Sequence, residues 1–210
     1  MLRALGISFD ETVIPLEQPY TAARIHAISG AGRVPILVDG DTMVWESLAI
    51  VEYLADKFSG KAAVWPVDMA ARAHARAISS EMHAGFQALR SACPMNLGKR
   101  YARKDRGDAV AADVARIEAM WVEARREFAG NNGPFLYGGF SAADAMYAPV
   151  VTRLDTYDFD VSNESRAYMQ AILKHPAFVD WRMMALQEPW IVTSDEIDEA
   201  AIENFRPHLS

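Results

Sequence analysis

The chain has 210 residues, 51% of them hydrophobic and 23% charged, with a formal net charge of -7. That length holds one large domain or two small ones around a buried core. No apolar run nears the ~20 residues that span a bilayer, the negative surface repels phosphate backbones and argues against nucleic acid, and a lone cysteine, Cys93, rules out an intrachain disulfide.

The start, Met1-Leu2-Arg3-Ala4-Leu5-Gly6, has no apolar signal region. With no CxxC motif, the default setting is reducing and cytoplasmic. Residues 7–14 read as a strand, with Phe9, Val13 and Ile14 apolar and Pro15 ending it. Residues 19–28 read as a short helix closed by Gly30 and Gly32. A compact apolar strand over 34–38 carries Pro35. Asp39-Gly40 is the strongest hairpin signal and leads into a second strand over 42–45. Residues 47–58 show helical spacing through Leu48, Val51, Leu54, Ala55 and Phe58. Residues 59–68 read as a linker, with Trp65 expected in a buried interfacial position.

From Asp68 the pattern is helical. Asp68 is expected to cap a long helix reaching Ala92, with Ile78, Met82, Phe86 and Leu89 on one face, stopped by Pro94. A second helix over 109–128 carries the stripe Val110, Val114, Ile117, Trp121, Ala124 and Phe128. Others are predicted from Ser141, over 163–173, and from His175-Pro176. An acidic helix over 194–204, with Asp195, Glu196, Asp198, Glu199 and Glu203, is expected to be a solvated face.

The chemistry concentrates between positions 34 and 47. A proline entering a strand sits at an edge or a bend; if the Val34-Pro35 bond is cis, the Val34 peptide groups are open to an extended peptide. Glu46-Ser47 opens the next helix, whose unpaired N–H groups and partial positive charge suit a carboxylate, while Glu46 suits an ammonium. Taken singly, each also fits an edge proline or a plain helix cap. The histidines, at 26, 74, 83, 175 and 208, show no metal-ligand spacing. His83 and Arg90, seven apart on one predicted helix, are expected to share a face, with Arg90 either meeting an anion or forming a surface ion pair. Ser29 reads as a turn cap and Cys93 as a buried inert thiol.

The order of the Val-Pro strand, the Asp-Gly hairpin and the Glu-Ser helix start resembles the glutathione-binding half of cytosolic glutathione transferases. Phe140-Ser141-Ala142-Ala143-Asp144 resembles that family's capping box in the helical domain, with Ser141 and Asp144 bonding reciprocally. Trp65-Pro66, Pro149 and Glu188-Pro189-Trp190 are similar too. The resemblance implies an α/β plus all-α fold: a truncated thioredoxin-like N-terminal domain over 1–60 and a helical-bundle domain over 68–210. It maps glutathione binding onto Val34, Pro35, Glu46 and Ser47, with glutathione as co-substrate and a small electrophile as second substrate. Homodimerisation follows from it as well, while the expectation of no metal rests on the histidine spacing. A non-catalytic ligand-binding or scaffold protein, and a glutathione-dependent thiol reductase, are the alternatives. The family's first strand and the Ser, Tyr or Cys that activates the thiol lie ahead of a helix whose final turn Met1 to Gly6 resembles. No catalytic residue is therefore assigned. A late start site or shortened sequence, a slide of strand 7–14 into the empty slot, or a strand from a partner would each account for the gap.

Overall fold

In the computed structural model, residues 1–59, 64–130 and 132–206 are described. The chain divides into two compact units, Met1–Val64 with Trp190–Thr193, and Trp65–Pro189 with Ser194–Ser210.

The first unit starts with one 3-10 turn, Arg3–Leu5, closed by Gly6 at φ 65°. The predicted strand at 7–14 does not form. Strand form needs a ladder to satisfy its peptide groups, and the described sheets contain no partner for it. Phe9 and Val13 stay 38% and 48% exposed, so the segment neither pairs nor slides into a sheet. Helix α1, Thr21–His26, follows; the Thr21 hydroxyl donates to Pro15 O at 2.6 Å and fixes its entry. Strands β1, Ile36–Asp39, and β2, Thr42–Trp45, form an antiparallel hairpin, with Asp39 opposite Thr42 and Ile36 opposite Trp45. Its two-residue loop is Gly40-Asp41, one position later than the Asp-Gly signal implied. Gly40 takes φ 59°, as the first position of a II′ loop requires. Helix α2, Ser47–Lys57, buries Val51 and Leu54. Its solvent side is tied to the hairpin: Tyr53 donates to Asp39 at 2.7 Å and Lys57 pairs with the same carboxylate. Helix α2 ends at Lys57, and of the expected breaker Ser59-Gly60 and the linker, residues 60–63 lie outside the described residues.

The second unit is helical. Asp68 accepts from Ala71 N at 2.8 Å and caps α3, Met69–Ala84. Asp68→Ala should lower stability by about 1 kcal/mol, read as a shift in urea midpoint; an unchanged midpoint would mean that packing of Ala71, Ala75, Ile78 and Met82 alone sets this end. The predicted helix to Ala92 is broken. Phe86 takes φ 61°, and a Cβ on Gly85 would lie 2.7 Å from Glu81 O, so the chain turns there and restarts as α4, Gln87–Ala92. Arg90 closes the break by donating to Gly85 O at 3.0 Å and Met82 O at 2.7 Å. Arg90 therefore caps α3 and forms no ion pair among the described residues, and it shares no continuous helix face with His83.

A short strand β3, Lys99–Tyr101, precedes α5, Asp108–Ala124, which runs on into a π turn, Arg125–Ala129. Helices α6, Ala142–Thr156, α7, Asn163–Leu173, and α8, Pro176–Leu186, complete the bundle. The α5 stripe is the core: Val114, Ile117, Trp121 and Ala124 are buried, and Trp121 meets Tyr147 and Tyr168 edge-on at 5.6 and 4.8 Å. Trp65 is buried beneath the Arg76 guanidinium, 5.7 Å from its ring. The last acidic helix predicted at 194–204 is absent. Residues there form a 3-10 turn, Thr193–Asp195, and strand β4, Ala201–Asn204, paired antiparallel with β3. Two of the acids are engaged, Glu196 with Lys99 at 2.6 Å and Glu199 with Arg106 at 3.2 Å, while Asp198 and Glu203 stay exposed as expected. Opposite charges on two short elements outweighed helix propensity there.

Candidate functional site

The hairpin register decides which residues meet. Ile36 faces Trp45 at the end of the β1–β2 ladder. Pro35 and Glu46 each adjoin that last pair, and the register ends there because the chain bends at the cis Val34-Pro35 peptide and turns into a helix at Ser47. The four predicted binding residues thus lie within two positions of the open end of the hairpin. The Val34-Pro35 peptide is cis, and Val34 is 45% exposed. Pro35 and Glu46 are exposed and Ser47 is half-buried.

Glu46, not Ser47, occupies the N-cap of α2, at φ 71° and ψ 129°, and makes no side-chain cap bond. A non-glycine residue with such dihedrals is an outlier of the kind that clusters at ligand sites. The Glu46 carbonyl accepts from Ile50 N at 2.9 Å, which starts the helix ladder. The first N–H groups of the helix take no cap bond from the Glu46 side chain, and the helix dipole leaves them partially positive. With 11 residues behind it, the α2 N-terminus carries the partial positive charge that favours an anion. An extended chain could lie along Val34 while its carboxylate meets α2. The Asp39–Lys57–Tyr53 brace holds the hairpin against α2 at the other end. Bonding from Lys57, then Tyr53, keeps the Asp39 carboxyl below its usual range.

The thiol-activating group is not supplied by the remaining candidates. Ser29 is buried and its Oγ accepts from Ala31 N at 3.1 Å, a local turn. Cys93 belongs to the second unit, is fully buried, and burial pushes its thiol up to about 11. A pair that sequence reading missed, His74 Nδ1 and Tyr137 Oη at 2.7 Å, joins positions 63 apart. Burial raises the Tyr137 phenol far above its ordinary value, so it stays protonated. No cluster of metal-ligating side chains exists among the described residues, and no helix there is long and apolar enough to cross a membrane.

Two family profiles match the chain. "Glutathione S-transferase, N-terminal domain" covers residues 1–57, and "Glutathione S-transferase, C-terminal domain" covers residues 107–183. A dichloromethane dehalogenase from Methylophilus leisingeri is 38% identical over 83 residues, 37% of this chain and 29% of that protein. Glutathione S-transferase T1 of Arabidopsis thaliana is 28% identical over 141 residues, 61% of this chain and 58% of that protein. The chain thus spans well under two thirds of these two relatives. Among solved structures, a Burkholderia glutathione transferase homologue with bound glutathione superposes with a TM-score of 0.65 at 20% identity, over 87% of this chain and 86% of its own. That likeness shares the architecture found here, a small mixed sheet-and-helix unit followed by a helical one. Matched profiles in both units, in the order the two units occur, make this chain a member of the glutathione S-transferase family.

Proposed function

We propose that the chain binds glutathione at the Val34–Ser47 corner and presents its thiolate to a small electrophile. The observation that supports this reading is the α2 N-terminus, where Glu46 at φ 71° makes no side-chain cap bond, together with the exposed Val34 two positions beyond the Ile36–Trp45 pair of the same hairpin. The cysteinyl backbone of glutathione lies strand-like along Val34, packed on Pro35. Its γ-glutamyl carboxylate sits on the first N–H groups of α2 and the Ser47 hydroxyl, and its ammonium meets the Glu46 carboxylate. The Burkholderia homologue holds glutathione in the same fold, and the relatives include a dehalogenase and a transferase. In the reaction the thiol proton leaves to solvent, the sulfur bonds the electrophilic carbon, and the leaving group departs with its electron pair.

Retention on immobilised glutathione, followed by conjugation of a generic aromatic electrophile, tests the reading. Retention with turnover is expected; folded protein that flows through would remove the assignment, and retention without turnover would leave a binding protein. Ser47→Ala should weaken glutathione about tenfold in a calorimetric titration, the share of one charge-assisted hydrogen bond. Its thermal midpoint should stay near that of the wild type, because Ser47 is half-buried and caps nothing.

A further inference from the structure

Residues 194–206 carry no buried side chain, yet the 92–106 segment they pair with holds some of the most buried groups in the second unit. Cys93 and Tyr101 are 0% and 1% exposed, and the Arg106 side chain is 4% exposed. What holds this segment is charge and backbone pairing. Glu196 accepts from Asn96 at 3.0 Å and pairs with Lys99. Glu203 faces Arg100 at 3.7 Å, and Phe205 N donates to Gly98 O at 2.8 Å. The central contact is Glu199. It takes both terminal nitrogens of Arg106 at 3.2 Å and also pairs with Lys104. The Arg106 guanidinium lies 4.4 Å from the Tyr157 ring, which stacks on Tyr101, and reaches Ala92 O at 3.4 Å, one residue before the thiol. Glu199 is also close enough to act electrostatically on Cys93 itself.

We propose that residues 194–206 form an electrostatically latched strap, with Glu199 as the latch, which lifts as a unit from the 92–106 segment and uncovers Cys93 while the helices stay folded. An element with exposed apolar groups and few buried ones opens at low cost compared with global unfolding. The rim pairs of Lys99, Arg100 and Lys104, each a third or more exposed, are screened by salt, whereas the enclosed Glu199–Arg106 pair resists it. Losing Glu199 strands a buried guanidinium, which favours the open strap. Opening releases Lys99, Lys104 and Arg106 from their acidic partners at the same time, while Arg100 keeps Asp155 and Arg103 keeps Asp158 and Asp160.

The chain's one cysteine makes the strap directly measurable. The rate at which Cys93 reacts with 4,4′-dithiodipyridine, a neutral reagent, is followed in the full chain from roughly 0.02 to 1 M NaCl, beside circular dichroism. Wild-type protein should react slowly at low salt and severalfold faster at high salt with its helical signal unchanged. Glu199→Gln should react about ten times faster than wild type at low salt; Glu203→Gln, at the exposed rim, should show a smaller rise. Equal rates for wild type and a folded Glu199→Gln, or a wild-type rate that ignores salt and rises only when helical signal is lost in urea, would overturn the strap. Should Glu199→Gln fail to fold, the wild-type salt series decides alone.

Discussion

Asp144→Ala is expected to cost about 3–5 kcal/mol of unfolding free energy, as a single substitution that strands several buried donors. Asp144 is 0% exposed. Its carboxylate accepts from Leu136 N at 3.1 Å and from both the N–H and the hydroxyl of Ser141 at 2.8 Å, closing the capping box of α6 and anchoring the chain that enters it. Alanine leaves all of those donors in a site water does not reach. Urea denaturation followed by helical signal measures the loss; a cost under 1 kcal/mol would mean that the N-terminus of α6 is held by packing of Ala142, Ala143 and Met146 instead. The same carboxyl gives a pH signature. Burial pushes it up to about 6, against the donors that pull it down. A folded-state value above the unfolded 3.8 means that the folded chain holds the proton more tightly. This contribution is therefore complete below pH 4 and is lost as pH rises through about 6. Relative to Asp144→Asn, which does not titrate, wild-type stability should fall by roughly 2–3 kcal/mol across that window.

Legibility in the sequence followed the range of the interactions involved. The stripe of α5 and the Ser141–Asp144 box could be read because they lie within a few turns of one helix, where spacing alone places side chains together. Asp68 was legible as a cap for the same reason. Val34, Pro35, Glu46 and Ser47 were proposed from residue types in a known order, and all four lie within two positions of the open end of the hairpin. Three features were not legible, each for a different reason. Residues 7–14 have strand-like alternation, but a strand exists only with a neighbour, and the pattern says nothing about whether one is present. The break at Gly85-Phe86 interrupts an unbroken apolar stripe, and nothing in Phe86 announces a left-handed backbone. The acidic segment 194–204 was read by local propensity, while its conformation is set by Lys99, Arg100 and Arg106, about a hundred positions away. No local window holds both halves of that pairing.

Glu46 tests whether the corner was shaped for a ligand or only for the fold. Its backbone, at φ 71° and ψ 129°, lies where a side chain costs on the order of 1–3 kcal/mol. Glycine adopts such angles freely but adds roughly 0.5–1 kcal/mol of unfolded-state entropy. Glu46→Gly should therefore leave stability unchanged or raise it by about 1 kcal/mol, while glutathione affinity falls about tenfold with the loss of the ammonium's carboxylate partner. The two readouts move apart only if the residue is kept for binding against its own conformational preference. A urea titration and a calorimetric titration on one preparation measure both. If the glycine variant is destabilised and binds glutathione as the wild type does, Glu46 serves the entry into α2 and the ammonium finds its partner elsewhere. If Glu46→Gln instead keeps the wild-type stability and still loses most of the affinity, the charge of the carboxylate is what the ligand requires, and the unusual backbone exists to aim it.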